Sequence, residues 1–254
     1  MEFVFDCRWT DSLSASDKYV EDFLYVLATT WNVADTAELK RNFENRYFHN
    51  IYGPSLLTVI YCEEKPAGSG AMWRNDIGGR VAFQRIDTCT LEAYRGHGLF
   101  RKAIEKELSL IGEDTLSYGF ANPSSLAGYL KFGWKVLKAD RVKIMFSPKN
   151  YLKRNPSVID ASYARWYLVT FREKIFRIKR GGLDFLVMPT SRPRIYQIIG
   201  VAEKEAVKFF DPAPSLSVLV YSSIPTDTDP SNQGNIVVTR FRGDVIPLWK
   251  CDAL

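Results

Sequence analysis

Gln84-Arg-Ile-Asp87-Thr88-Cys89-Thr90-Leu-Glu-Ala-Tyr94-Arg95-Gly96-His97-Gly98-Leu99-Phe100-Arg-Lys-Ala103-Ile104-Glu-Lys-Glu-Leu108 passes through three kinds of local structure. Its start alternates as a strand does, its middle holds two glycines, and its end places apolar residues at Leu99, Phe100, Ala103, Ile104 and Leu108, the spacing of a helix. A strand, a glycine turn and a helix start in direct succession make a pocket for negative charge. The first helical N–H groups have no acceptor within the helix and carry the positive end of its dipole. Gly96 and Gly98 let an anionic group approach the backbone where a Cβ would obstruct it. Arg95 adds a cation suited to bidentate phosphate contact. The P-loop pattern fails for want of Gly-Lys-Ser/Thr, and the dinucleotide fingerprint fails for want of a third glycine.

A second block follows at Asn122-Pro-Ser-Ser125-Leu-Ala-Gly-Tyr129-Leu-Lys131-Phe-Gly133-Trp134. Together the two blocks resemble the GNAT acetyltransferase superfamily. Arg95-Gly96-His97-Gly98 is similar to its pyrophosphate loop, with Phe100 where many members carry a last glycine. The second block is similar to its Asn-x-x-Ala-x-x-x-Tyr-x-Lys-x-Gly-Phe segment, with Ser125 for the alanine and Trp134 for the phenylalanine. The resemblance covers roughly residues 1–147. It implies acetyl-CoA as cofactor, held by Arg95, Gly96, His97, Gly98, Leu99 and Phe100 at the pyrophosphate. Backbone groups of Thr88, Cys89 and Thr90 would serve the pantetheine and thioester. Asn122 is expected either to tether the cofactor amide or simply to cap a helix. The resemblance also implies Tyr129 as general acid, against the plainer reading of an aromatic on a short helix.

The proton acceptor is open at this level. Gln84 stands where some relatives place a glutamate, and it cannot take a proton. Asp87 lies on the other strand face if alternation is regular, but a bulge would redirect it. Glu92 in the turn, or water, are the alternatives. Cys89 reads as a buried strand cysteine rather than a nucleophile, because no histidine partner is nearby in sequence. A pre-placed donor at a developing oxyanion contributes about 3–4 kcal/mol in comparable systems, enough to justify a distorted strand.

At 254 residues the chain fits one large or two small domains. Apolar residues make up 46%, so a real core is available. The net charge of +5 is spread out apart from 149–154 and 174–180, which argues against a nucleic-acid platform and mildly favours anionic ligands. Cysteines at 7, 62, 89 and 251 form no CxxC pair, and His49 and His97 are the only histidines, so no metal site is expected. No run of eighteen apolar residues suggests a membrane span, and the opening MEFVFDCRWTDSLS has no signal-like pattern; cytoplasmic placement is the expectation.

From the start of the chain, residues 2–9 read as a strand, and a capping box at Ser14-x-x-Asp17 opens a helix over about 15–30. Asp35 and Glu38 open a second helix, and Trp31 between the two is expected in the core. Strands follow at 55–62, 70–74 and 81–90, a helix at 98–111, a strand at 115–121, a helix at 123–131, and paired segments at 135–137 and 142–146. Residues 147–156 read as a polar, proline-bracketed linker. Beyond it come a helix over 160–167, strands at 174–179, 183–188 and 195–201, a helix over 202–210, a strand at 216–224, a polar loop at 226–234, and a hairpin from 236–242 and 245–249.

The reading is an α/β (α+β) chain. A GNAT-type domain over 1–150 has a mixed, mostly antiparallel sheet flanked by helices, and a smaller α+β unit over 151–254 is a degenerate copy or an unrelated appendage. The expected activity is acetyl transfer from acetyl-CoA to a primary amine of a small molecule, directly in a ternary complex. A non-catalytic acyl-CoA-binding module and a FemABX-like aminoacyl transferase are the alternatives. Trp31, Tyr47, Tyr52 and Trp73 are aromatics for an acceptor pocket or for the core. The acceptor itself and the oligomeric state are not legible.

Overall fold

The computed structural model describes residues 3–76, 80–112, 115–139, 141–154, 158–170, 175–190, 192–213, 218–223 and 236–239. Two compact units are present. The first runs to Lys135 and includes Val238 and Thr239; the second begins at Val136.

The first unit opens with β1 (Phe5–Asp11), α1 (Asp17–Trp31) and α2 (Thr36–Tyr47). Ser16, not Ser14, caps α1, its hydroxyl accepting from Tyr19 N at 3.3 Å, while Asp11 binds Ser14 N in the preceding turn. Asp35 caps α2 through Glu38 N at 2.9 Å, as its spacing predicts. Phe23 of α1 packs on Phe43 of α2 with ring centres 5.3 Å apart. Trp31 is not a core residue: it is 48% exposed, because α1 ends there with Asn32 in the left-handed conformation and its buried stripe stops at Leu27.

The sheet comprises β2 (Leu56–Cys62), β3 (Lys65–Arg74), β4 (Ala82–Thr90) and, after α3 (Leu99–Ile111), β5 (Leu116–Ala121); α4 (Pro123–Lys131) follows. Its order begins β1-β2-β3-β4-β5, antiparallel through β3/β4 and parallel at β4/β5. Alternation on β2 separates the two faces. Tyr61 bonds Asp22 of α1, whereas Ile60 and Cys62 pack with Leu99 and Ala103 of α3.

The second unit takes up β6 (Lys135–Ala139), which starts at the boundary, then β7 (Arg141–Ile144), α5 (Pro148–Arg154), β8 (Val158–Ile159) and α6 (Ala161–Thr170). The expected linker is thus mostly helix. Ser147 accepts Asn150 N on its hydroxyl and Tyr151 N on its carbonyl, proline is tolerated in the first turn, and Tyr151 is buried against Phe185. Next come β9 (Phe176–Arg180), β10 (Leu183–Pro189), β11 (Ile195–Ala202), β12 (Asp211–Pro212) and β13 (Val218–Ser223); β14 (Ile236–Thr239) is a strand of the first sheet, and its Val238 and Thr239 count with the first unit. The helix expected over 202–210 shrinks to one 3-10 turn at Ala206–Phe209. There β11 runs on through Ala202, which pairs with Ile159 of β8. The polar loop 226–234 and the second hairpin arm 245–249 lie outside the described residues.

Sheet order in this unit is β12-β9-β10-β11-β13-β7. Its core joins Met145, Tyr151, Phe185, Val187, Ile198, Val201 and Leu219. Among the described residues no helix is long and apolar enough to cross a membrane, and no cluster of three or more His, Cys, Asp or Glu would hold a metal ion.

Candidate active site

Strands β4 and β5 pair only from Ala82/Leu116 to Arg85/Gly119. β4 continues to Thr90 and β5 to Ala121 with no pairing between them in the described residues, so the two part beyond that rung. On the other side of β4, Ser69 pairs with Cys89 and Ala71 with Ile86, so Asp87 and Thr88 together face Gly70. This is a β-bulge, with Asp87 left-handed at φ +52°. Such a backbone costs a non-glycine residue about 1–3 kcal/mol and persists where its surroundings hold it.

The surroundings are visible. The bulge turns Asp87 toward α2, whereas Arg85 points toward α3. Asp87 Oδ2 accepts from Tyr47 Oη at 2.5 Å and from Arg46 Nη1 at 3.2 Å; Oδ1 accepts from the same nitrogen at 3.3 Å. Burial and then the Asp87 charge raise the Tyr47 phenol well above its ordinary value. Burial works against the Arg46 charge, but Asp87 and Tyr47 outweigh it. Both Asp87 oxygens are engaged by donors, Oδ2 by two and Oδ1 by one. Gln84 serves its own network, its side-chain oxygen accepting from Tyr118 Oη at 3.2 Å.

After β4 the chain makes one 3-10 turn at Glu92–Tyr94 and then the glycine turn. Gly96 and Gly98 are left-handed, at φ +84° and +74°, and no atom lies within 4 Å of a Cβ built on either. Lys102 N is the first amide of α3 bonded to Gly98 O, and no side chain caps the helix. The amides of Leu99, Phe100 and Arg101 therefore have no intrahelical acceptor, at a turn whose residues 95–98 are exposed. Arg95 reaches back to Thr90 O at 3.4 Å. The His97 ring packs against Phe3 and Phe5 at 5.0 and 5.8 Å, which ties the turn to the first strand. This cradle, open where a Cβ would sit and lined by donors, fits a diphosphate.

Tyr129 lies on the last turn of α4. Asn122 caps that helix, its side-chain oxygen accepting Ser125 N at 2.8 Å while Ser125 Oγ accepts Asn122 N at 3.1 Å. That oxygen is thus committed to the cap. Tyr129 is 4% exposed, its ring edge-on to Phe100 at 5.4 Å and to Trp134 at 4.9 Å. Its oxygen sits 3.3 Å from where a Cβ on Gly119 would stand, beside the last β4/β5 rung.

Two residues here went unnoticed in the sequence. Arg85 Nη1 donates to Tyr129 Oη at 3.4 Å, and Arg85 Nε donates to Glu107 Oε2 at 2.6 Å, both ion-pair side chains being fully buried. Burial opposes the Arg85 charge and Glu107 outweighs it; burial pushes the Glu107 carboxyl up with Arg85 opposing. The signal was present: Glu107 occupies a position in the apolar stripe of α3, three residues after Ile104.

Cys89 is 6% exposed, and burial pushes its thiol up to about 12, which fits the strand-core reading. Thr88 Oγ1 bonds Ile86 O at 3.4 Å. Tyr47 and Trp73 are core residues, and Tyr52 is half-buried.

No family model matches the chain, and no curated protein matches it. Solved structures do. A GCN5-related N-acetyltransferase from Kribbella flavida is 13% identical, with TM-score 0.55 over 92% of this chain and 71% of that one. A GCN5-related N-acetyltransferase from Anabaena variabilis is 14% identical, with TM-score 0.54 over 92% and 72%. A putative acetyltransferase from Pyrococcus horikoshii is 12% identical, with TM-score 0.53 over 96% and 90%. The fold is that of the GCN5-related N-acetyltransferases, and the likeness extends over both units.

Proposed function

We propose that the protein transfers an acetyl group from acetyl-CoA to a primary amine of a small molecule, directly and in a ternary complex. One coincidence carries the reading: three helix amides without an intrahelical acceptor follow the strand that parts from β5, and the Tyr129 hydroxyl of α4 stands beside the last rung of that pair. The domain that does the chemistry is the amino-terminal one, over about residues 1–150, with 151–254 as an appended α+β unit. The setting is cytoplasmic, and neither nucleic acid nor membrane takes part.

When bound, acetyl-CoA supplies an activated acyl thioester on a long arm that ends in a nucleotide diphosphate. The amides of Leu99, Phe100 and Arg101, with Gly96, His97 and Gly98 shaping the turn, hold the diphosphate, and Arg95 adds charge beside them. The β4 backbone over Thr88, Cys89 and Thr90, without a partner on its β5 side in the described residues, takes the arm, and Asn122 contributes whatever its cap leaves free. Tyr129 gives its proton to the leaving sulfur, and Asp87 relays a proton from the amine.

A second reading, acyl-CoA binding without turnover, is favoured by the engagement of Asp87 with Arg46 and Tyr47. Calorimetry with acetyl-CoA, followed by thiol release against a panel of amines, separates the two. Binding with no turnover on any amine supports the second reading. No binding at millimolar ligand removes both. With turnover, Tyr129→Phe lowers kcat by roughly 100-fold and leaves acetyl-CoA affinity nearly unchanged; an unchanged kcat removes the acid assignment.

A further inference from the structure

Resting on the acyltransferase reading, we infer that Arg85 is a positioning residue that fixes the direction of the Tyr129 proton, and that Glu107 holds Arg85 for that task. A guanidinium has donors only, so the phenol oxygen must accept from Arg85 Nη1. The phenol's own hydrogen then points away from the guanidinium, beside the rung where β4 and β5 part. When Tyr129 acts, its O–H bond breaks and an S–H bond forms at the leaving sulfur. The phenolate left behind already faces a fixed cation, and solvent later returns the proton.

Three observations support this role over a merely structural one. A fully buried ion pair contributes little stability compared with apolar side chains of similar size, so this pair does not explain itself by folding alone. Space has been cleared for it. A Cβ on Gly70 would stand 2.5 Å from Glu107 Oε1, and one on Gly119 would stand 3.3 Å from Tyr129 Oη. The guanidinium is also clamped, its carbon 4.6 Å from the centre of the Phe100 ring, which in turn meets Tyr129 edge-on.

The test uses the full chain with an isotope label at Cζ of its tyrosines, the Tyr129 signal being assigned by its loss in Tyr129→Phe. The paired variant Arg85→Gln/Glu107→Gln removes both charges together, so no lone buried charge remains. In the ligand-free protein its Tyr129 signal moves while the other tyrosines stay put. Acetyl-CoA affinity changes by less than about threefold, and kcat falls roughly 10- to 100-fold at unchanged KM. Gly119→Ala leaves the ion pair intact but crowds the hydroxyl, and it shifts the same signal and lowers kcat.

A folded paired variant with an unmoved Tyr129 signal, or with wild-type kcat, overturns the inference. If that variant does not fold, wild-type kcat in Gly119→Ala overturns it instead. A wild-type chain that neither binds acetyl-CoA nor releases thiol ends the acyltransferase reading. The ligand-free signal still reports whether Arg85 holds Tyr129, so the two failures look different.

Discussion

The two units share a strand plan and differ where it matters for chemistry. In the first, β2, β3 and β4 run antiparallel and β5 lies parallel to β4; in the second, β9, β10 and β11 run antiparallel and β13 lies parallel to β11. In both, the parallel pairing stops early: at Arg85/Gly119 in one, at Gln197/Val220 in the other. Beyond that point the first unit leaves β4 unpaired on the β5 side in the described residues. The second fills the equivalent edge, where Val201 and Ala202 of β11 pair with Val158 and Ile159 of β8. β10 already occupies the opposite edge of Val201, so β8 must lie on the β13 side. The connection differs as well. The first unit builds a thirteen-residue helix with uncapped amides, and the described residues of the second form a 3-10 turn and the two-residue β12. What sets the first unit apart is thus an edge left open beside β4 in the described residues and a helix start whose amides have no intrahelical acceptor.

Changes in each unit test that contrast, and the largest effect belongs to the buried charge. Glu107→Ala strands Arg85 without its partner and is expected to lower stability by about 3–5 kcal/mol in denaturant melts. A cost under about 1 kcal/mol would mean that the pair is not buried as described. Ile159→Ala in the strand that fills the second gap should cost about 2–5 kcal/mol. It should still leave acetyl-CoA binding at one site per chain by calorimetry, whereas a second site would show that β8 alone had been masking one.

Gly98→Val puts a β-branched residue at φ +74° and should weaken acetyl-CoA binding by about 100-fold, since each charge-assisted amide contact contributes about 1.5–3 kcal/mol. Residual tight binding would point away from the first unit's turn. Asn122→Ala removes the α4 cap and should cost about 1 kcal/mol of stability; a much larger loss of acetyl-CoA affinity would show that Asn122 touches the cofactor. The smallest effect concerns Cys89. Its thiol, raised by burial to about 12, holds little thiolate below that pH, so alkylation at pH 8 should be far slower than for a free cysteine. Fast labelling would contradict the buried placement.

Much of the first unit was legible because its signals are local. The helix over 123–131, the Asp35 cap and the turn through Gly96 and Gly98 follow from side-chain spacing and from residues that tolerate a left-handed backbone. Where the reading missed, a distant partner decided. Tyr151 finds Phe185 and turns an apparent linker into a helix, and β11 extends through Ala202 because β8 pairs there. The exposed Trp31 follows from where α1 happens to stop.

By itself the sequence determined the strand-turn-helix unit over Gln84–Leu108 and the two-block pattern. Those depend on backbone freedom and on spacing within a few residues. Only the tertiary structure decided that β4 bulges at Asp87, that the bulge hands this carboxylate to Arg46 and Tyr47, and that Arg85 and Glu107 meet beneath Tyr129. Those side-chain contacts join residues 22 to 44 positions apart, the Arg85–Glu107 pair being the shortest and the Arg85–Tyr129 bond the longest. Their energy depends on burial, which no local pattern records.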